Sequence, residues 1–126
     1  MLFAVAAARH WSDDGIEVNA LHPWAIADCN LSRYYNPAEL DALRSSGRYT
    51  FKTLAQGAAT SVYVATSPRL NGVVGRYFEN CQEDTPDDPT AAGTDAAGTD
   101  AAGVAAYALV PETAERLWAV SEQMNQ

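Results

Sequence analysis

Two short segments with strand character, separated by a helix-forming segment, constrain the fold of this chain most strongly. The first, IEVNAL at 16–21, is β-branched and mostly apolar, which is typical of a strand covered on both faces. Pro23 ends it, because proline cannot donate to a sheet. The second, at 75–80, contains Tyr77 and Phe78, which favour strands. A helix between two strands predicts parallel strands joined by a crossover, and therefore an α/β fold.

Helical spacing and terminal residues predict four helices, at about 1–11, 37–46, 53–66 and 110–124. The first has no Ser, Thr, Asp or Asn before it that could cap its free amide hydrogens. The second is expected to begin at Asn36 and Pro37 and to end at Gly47. We expect the last helix to pack on the sheet through one face, formed by Ala114, Leu117, Trp118 and Ser121.

Composition excludes several classes of partner and location. The chain has 126 residues, enough for one modest domain, and 16 acidic against 8 basic residues give it a net charge of −8. Nucleic acid and anionic membranes would repel it, so neither is expected as a partner. The apolar start lacks a basic leader and is too short to span a bilayer. With only two cysteines, a reducing, cytoplasmic location is the simpler expectation.

Two regions differ in composition from the rest. The segment 28–51 is polar and aromatic, and it is expected to be mainly a loop region around the second helix. The segment 83–104 contains AAGTD twice in tandem and almost no large apolar side chain. Such a tract buries too little area to offset the entropy of ordering it, so it is predicted to be a disordered, low-complexity stretch.

Four stretches of the sequence carry a resemblance to a known family: LFAVAAARHWSDDGIEVNALHP, KTLAQGAATSVYVATSP, GRYFENC and PETAERLW. Jointly, and in this order, they resemble the C-terminal part of a short-chain dehydrogenase/reductase, in the retinol-dehydrogenase and WW-domain-oxidoreductase branch. The resemblance implies that 1–126 is the C-terminal portion of one Rossmann-like domain. That partial doubly wound fold would have about two parallel strands and three or four helices. The region 28–52 would be a lid-like loop region over the substrate.

The resemblance also implies a cofactor and site residues. Members of the family carry out NAD(P)-dependent alcohol and carbonyl chemistry, and ligands bind beyond the carboxyl ends of the strands. Pro23 and Ile26 match residues that bend the chain under the nicotinamide and contact it, so both are predicted to bind the cofactor. Trp24 stands where glycine is usual, which is a steric objection. An ionised Asp28 near phosphates would repel them.

The catalytic residues of the family have no counterpart here. The sequence contains no Gly-x-x-x-Gly-x-Gly or Gly-x-Gly-x-x-Gly turn to cradle a pyrophosphate. Its one lysine, Lys52, follows Arg48 rather than a tyrosine at four residues' distance, so no Tyr-x-x-x-Lys pair exists. No catalytic residue and no metal ligand is therefore assigned. We expect the chain to begin just after the family's motif, to be truncated and inactive alone, and to bind no cofactor by itself.

Alternative functions remain open at this point. The chain could be a non-catalytic complementing or dimerising module that forms a homo-oligomer, or joins a complementing chain, through its first helix and the exposed edge of 16–21. It could instead be a small-ligand binding protein that keeps the lid pocket, with walls from Tyr34, Tyr35 and Tyr49; ordinary packing is at least as simple for these tyrosines.

Histidines and cysteines offer weaker candidates. His10 and His22 could act as a base or a metal ligand, although a surface role is the simpler interpretation. His22, Asp28, Cys29 and Cys81 could gather as a zinc site, but the paired Cys-x-x-Cys spacing is missing.

Overall fold

The computed structural model describes residues 1–47, 50–84, 86 and 104–125. In these parts of the chain it contains four α-helices and three strands. They are α1 (Leu2–His10), β1 (Ala20–His22), α2 (Pro37–Ser45), α3 (Leu54–Thr66), β2 (Tyr77–Glu79), β3 (Gln82–Glu83) and α4 (Pro111–Met124). Short 3-10 turns at Asn30–Tyr34, Pro68–Leu70 and Ala106–Leu109 lie between them.

The sheet has the order β1-β2-β3 and is mixed. β1 and β2 are parallel, with Ala20 opposite Tyr77 and His22 opposite Glu79, which confirms the predicted parallel pair. Both strands are three residues long and so shorter than the predicted segments. β3, which was not predicted, pairs antiparallel with β2. The architecture is α/β and consistent with a partial Rossmann-like fold.

Local capping explains where the helices begin and end. The Asn36 side chain accepts a hydrogen bond from the Ala38 amide (3.0 Å), and Gly47, in the left-handed region at φ 66°, follows the end of α2. Thr53 and Gln56 form a reciprocal capping box at the start of α3. α1 has no side-chain cap, as predicted. These three helices therefore match the expectations from sequence closely.

The predicted packing of α4 on the sheet is wrong, because α4 packs mainly against α1. Ala114 is fully buried in a cluster with Val5 and Ala6, whose small or compact side chains let the two helices approach. Trp118 stacks on His10, with ring centroids 4.4 Å apart. Leu117, predicted to lie on the packed face, is 40% exposed. The helical spacing correctly predicted that Ala114 and Trp118 share a packed face, but it did not show that a helix covers this face.

Two sets of contacts attach β2 and the segment before it to the remainder of the fold. The Asn19 amide donates to the Val73 carbonyl (2.7 Å), and its oxygen accepts from the Arg76 amide (3.0 Å). Phe78 on β2 is fully buried, and its ring lies 6.4 Å from that of Tyr63 on α3. α3 therefore packs on the sheet beside the paired strands.

Much of the predicted low-complexity tract lies outside the described residues, which omit 85 and 87–103. Within the tract, Glu83 belongs to β3, and Pro86 forms an isolated parallel bridge with Val104. Among the helices that the structure describes, none combines the length and the apolar character needed to cross a bilayer.

Candidate functional site

The parallel pairing of β1 and β2 brings two chain segments to one edge of the sheet. His22 and Glu79 end their strands side by side, so the turn after His22 and the residues after Glu79 lie beyond the same carboxyl edge. The Lys52 amide donates to the Ala25 carbonyl (2.8 Å), which adds the segment before α3 to this edge. In open parallel sheets this is where ligands bind.

An apolar cleft of about 340 Å³ lies at this edge. Its walls come from the turn after β1 and from the lid-like region, and they include Pro23, Trp24, Ile26, Tyr35, Leu43 and Phe51. The structure thus brings the two predicted cofactor-binding residues, Pro23 and Ile26, together with the lid. A volume of this size suits a small ligand.

The predicted tyrosine wall is only partly present. Tyr35 lines the cleft, whereas Tyr34 is 77% exposed and receives a hydrogen bond from Arg33 (2.8 Å) on the surface. Tyr49 lies outside the described residues.

Gly57 on α3 lets the turn after β1 pack closely, and sequence reasoning missed it. A Cβ atom built on Gly57 would stand 2.1 Å from Ile26 Cδ1 and 3.5 Å from the Pro23 carbonyl oxygen. Any larger residue would therefore push Ile26 out of its position. A glycine inside a helical pattern was the available indication, because it often marks such close packing.

Trp24 adopts a backbone conformation that favours glycine. Its φ is 70°, in the left-handed region, which costs an L-residue about 1–2 kcal/mol. Its indole lines the cleft and lies 5.7 Å from Lys52 Nζ, within the range of a cation–π contact. The backbone at Trp24 thus has a conformation that glycine adopts readily, and the residue contributes an aromatic wall to the cleft.

Asp28 is paired rather than free to repel an anion. Its carboxylate is bonded to Arg44 of α2, which also lies 3.5 Å from Asp41. The pair is exposed and therefore contributes little stability. Its effect is to offset the charge of Asp28, which weakens the predicted repulsion of phosphates.

Cys29 and Cys81 have different surroundings. Cys29 lines the apolar cleft and donates to the Ile26 carbonyl (3.2 Å), and hydrogen bonds from the Ser32 side chain and the Leu31 backbone lower the pKa of its thiol. Cys81 is exposed in the turn after β2. In the part of the chain that the structure describes, no group of three or more His, Cys, Asp or Glu side chains is placed to hold a metal ion.

A second cleft of about 370 Å³, with several polar residues among its walls, lies on the other side of Phe51, between the start of α3 and the end of β2. Lys52 Nζ donates to Asn80 Oδ1 there (2.5 Å). The capping box of α3 uses two amide hydrogens, since Thr53 N donates to Gln56 Oε1 (2.9 Å) and Gln56 N donates to Thr53 Oγ1 (3.2 Å). The residues at this edge thus supply an apolar wall, and the sequence offers no Gly-rich turn beside it to cradle a pyrophosphate.

Glu79, at the end of β2, is a buried carboxyl group that was not predicted. It is 2% exposed, its Oε1 has no hydrogen-bond partner, and its Oε2 lies 3.5 Å from the Tyr77 hydroxyl. Burial, and secondly a hydrogen bond and repulsion from Asp84, raise the pKa of Glu79 to about 7. Nothing in the sequence indicated it, because burial here depends on tertiary packing.

Comparison with known proteins shows which proteins this chain resembles in sequence. A "Probable oxidoreductase" of Streptomyces lividans is 42% identical over 128 residues, 94% of this chain and 39% of the relative. Human "Retinol dehydrogenase 14" is 32% identical, covering 98% of this chain and 32% of the relative. Human "WW domain-containing oxidoreductase" is 34% identical, covering 100% and 26%. No family model and no solved structure matches.

The fold and the carboxyl-edge cleft define an α/β protein of the partial Rossmann-like class. Its sequence goes further and confirms the resemblance: the chain belongs to the short-chain dehydrogenase/reductases and corresponds to the C-terminal part of a member. It spans less than half the length of the curated relatives it matches.

Replacing Trp24 tests its left-handed conformation. Because a Cβ atom is costly at φ 70°, Trp24→Gly should be more stable than Trp24→Ala by about 1 kcal/mol, the reverse of the usual order. Urea denaturation of both variants measures the difference. Ala25→Gly is the matched control, since Ala25 has no positive φ, and it should lose about 0.5–1 kcal/mol relative to the parent chain. An alanine variant as stable as the glycine variant would contradict the left-handed assignment.

The buried Glu79 predicts a pH dependence of stability. The folded state keeps the proton up to about pH 7, whereas the unfolded chain loses it near 4.5, the ordinary pKa of the group. Stability should therefore fall as pH rises from about 4.5 through about 7, by an amount on the order of 3 kcal/mol. Denaturation at several pH values should show this slope in the parent chain and in Glu83→Gln, but not in Glu79→Gln. If the stability of Glu79→Gln fell with pH in parallel with that of the parent chain, this prediction would be refuted.

Proposed function

We propose that this chain forms the substrate-side wall and the nicotinamide-side turn of a short-chain dehydrogenase/reductase site, and that it does not transfer hydride alone. The reaction class is NAD(P)-dependent oxidation of alcohols or reduction of carbonyl compounds by full-length relatives. Pro23 and Ile26 would then contact the nicotinamide end of the cofactor. The family membership and the position of the cleft support this assignment.

The observation that carries the proposal is the apolar cleft beyond β1. It joins the turn that would face the cofactor to the lid-like region that would face the substrate, within one volume of about 340 Å³. Leu43, Phe51 and Tyr35 make its lining mostly apolar. A substrate with an apolar body and a single carbonyl or hydroxyl group fits such a lining.

The lack of independent redox chemistry follows from the residues that would have to perform it. Proton transfer to the substrate oxygen needs an acid of lowered pKa, supplied in the family by a tyrosine near a lysine. Here Lys52 bonds to Asn80 and has Arg48 at the tyrosine position. The sequence has no Gly-rich turn to cradle a pyrophosphate. We therefore expect a ligand-binding wall without a reaction centre.

Binding of a simple apolar carbonyl compound tests the cleft. The parent chain should bind 2-decanone saturably, with NMR shifts at Ile26 and Tyr35. Leu43→Ser, in the cleft lining, should weaken binding about fivefold, because part of a buried leucine contact is lost. Leu54→Ser is the control: Leu54 is 57% exposed on α3, outside the residues lining this cleft, and should leave binding unchanged. Equal effects of both variants would count against the site.

A second candidate function rests on the free side of β1. β1 is the outer strand of the described sheet, and the Ala20 amide donates to Arg76 on the β2 side, so Leu21 presents its backbone groups to the open side. An unpaired edge can add a strand from another chain. We propose that the chain can form a homo-oligomer, or join a complementing chain, by this edge.

Light scattering after size exclusion tests the edge. The parent chain should associate increasingly with concentration, and Ile16→Lys, a charge on the exposed segment that leads into β1, should suppress association. Leu117→Lys places the same charge on α4, far from β1, and should have no such effect. A monomer at all concentrations would exclude self-association. The complementing role would then be tested by adding the upstream half of a longer relative, and the absence of a complex would exclude that role as well.

A further inference from the structure

Glu79 lies where an ionised carboxylate is costly. The residue is 2% exposed and its Oε1 accepts no hydrogen bond. A buried charge with an unsatisfied oxygen is costly relative to its neutral form. The binding role proposed above does not use Glu79, although Glu79 lies at the same edge of the sheet.

The surrounding hairpin explains why the state of Glu79 matters. β2 and β3 are joined by Asn80 and Cys81, both with positive φ (52° and 59°), as in a tight two-residue turn that usually requires glycine. At the other end of the hairpin the Asp84 amide donates to the Tyr77 carbonyl (2.9 Å). An unfavourable turn at one end therefore depends on contacts at the other.

The Asp84 side chain supplies such a contact. It lies on the same face of the hairpin as Glu79, because Asp84 stands opposite Tyr77 in the antiparallel register. Two carboxyl groups placed in this way can share a hydrogen bond only when one of them carries a proton. If both lose their protons, the bond is lost and two like charges face each other in a poorly hydrated space.

Other charged or titratable groups near Glu79 do not replace that bond. His22 Nδ1, from β1, is 3.9 Å from Oε2, and the Tyr77 hydroxyl, on the same strand, is 3.5 Å away. Both distances exceed those of strong hydrogen bonds. Lys52 favours the ionised form only as a minor influence. Arg76 is 3.6 Å from Glu83, on the hairpin itself.

We propose that the Glu79–Asp84 pair is a proton-dependent latch on the β2–β3 hairpin, closed while the two carboxyl groups share one proton and open when both are ionised. The raised pKa of Glu79, about 7, puts the change near neutral pH. Opening separates Asn80 from Lys52 and breaks the hydrogen bond from the Cys81 amide to Thr60 (3.2 Å). The latch thereby sets the shape of the second cleft, beside the apolar one.

Hydrogen exchange of single amides tests the latch. After correction for intrinsic exchange, protection of the Cys81 and Asp84 amides should fall about tenfold between about pH 6 and about pH 8.5 in the parent chain. Glu83→Gln, on the same hairpin, should behave like the parent, and Glu79→Gln should show no such fall. The Ser67 amide, bonded to Tyr63 (3.0 Å), should keep its protection in every case. An equal fall at Ser67, or an unchanged fall in Glu79→Gln, would overturn the latch.

A titration of the unsubstituted side chain keeps the test independent of how the variants fold. The ¹³C shift of the Glu79 carboxyl should titrate near neutral pH, together with the loss of hairpin protection. In Asp84→Asn the midpoint should move down, because one source of repulsion is removed. A Glu79 midpoint at the ordinary value for glutamate in the parent chain would overturn the proposal.

Discussion

The features at the carboxyl edge depend on a short parallel pairing of β1 with β2. It consists of three residue pairs, from Ala20 opposite Tyr77 to His22 opposite Glu79. The strands are too short to be stable as a pair alone. Asn19 supports them by bonding both ends of the segment that precedes β2, and the Gly75 amide adds a bond to the Val18 carbonyl (2.7 Å). Because of this register, the turn after β1 and the hairpin after β2 become neighbours.

Two clefts lie at this edge of the sheet. On one side, Pro23, Trp24 and Ile26 meet the lid-like region in an apolar volume. On the other, Lys52 and Asn80 meet the capped start of α3. The first cleft has the lining that an apolar substrate would need, and the sequence offers no Gly-rich turn beside the second to cradle a pyrophosphate. Glu79 lies between the strand pair and the hairpin, so its protonation bears on the second cleft more than on the first.

Much of this fold could be predicted because its determinants are local. Asn36 and Thr53 accept hydrogen bonds at the helix starts that their residue types indicate, and the order of elements implied the parallel pair. β3 was missed because its turn is Asn80-Cys81 rather than the Asn-Gly that marks a hairpin. The predicted packing partner of α4 was wrong because helical spacing shows which residues share a face, not whether a helix or a sheet covers that face.

The site was predictable only in position. The resemblance located Pro23 and Ile26 at the strand end, and the structure places both in the cleft. The roles of Gly57 and Glu79 depend on contacts between distant segments, which no local pattern reveals. The central claim is that this chain carries the apolar wall of a redox site without a dinucleotide cradle. Calorimetric titration with NADH and NADPH tests it most directly: the account predicts no saturable heat with either, and stoichiometric binding at micromolar concentration would contradict it.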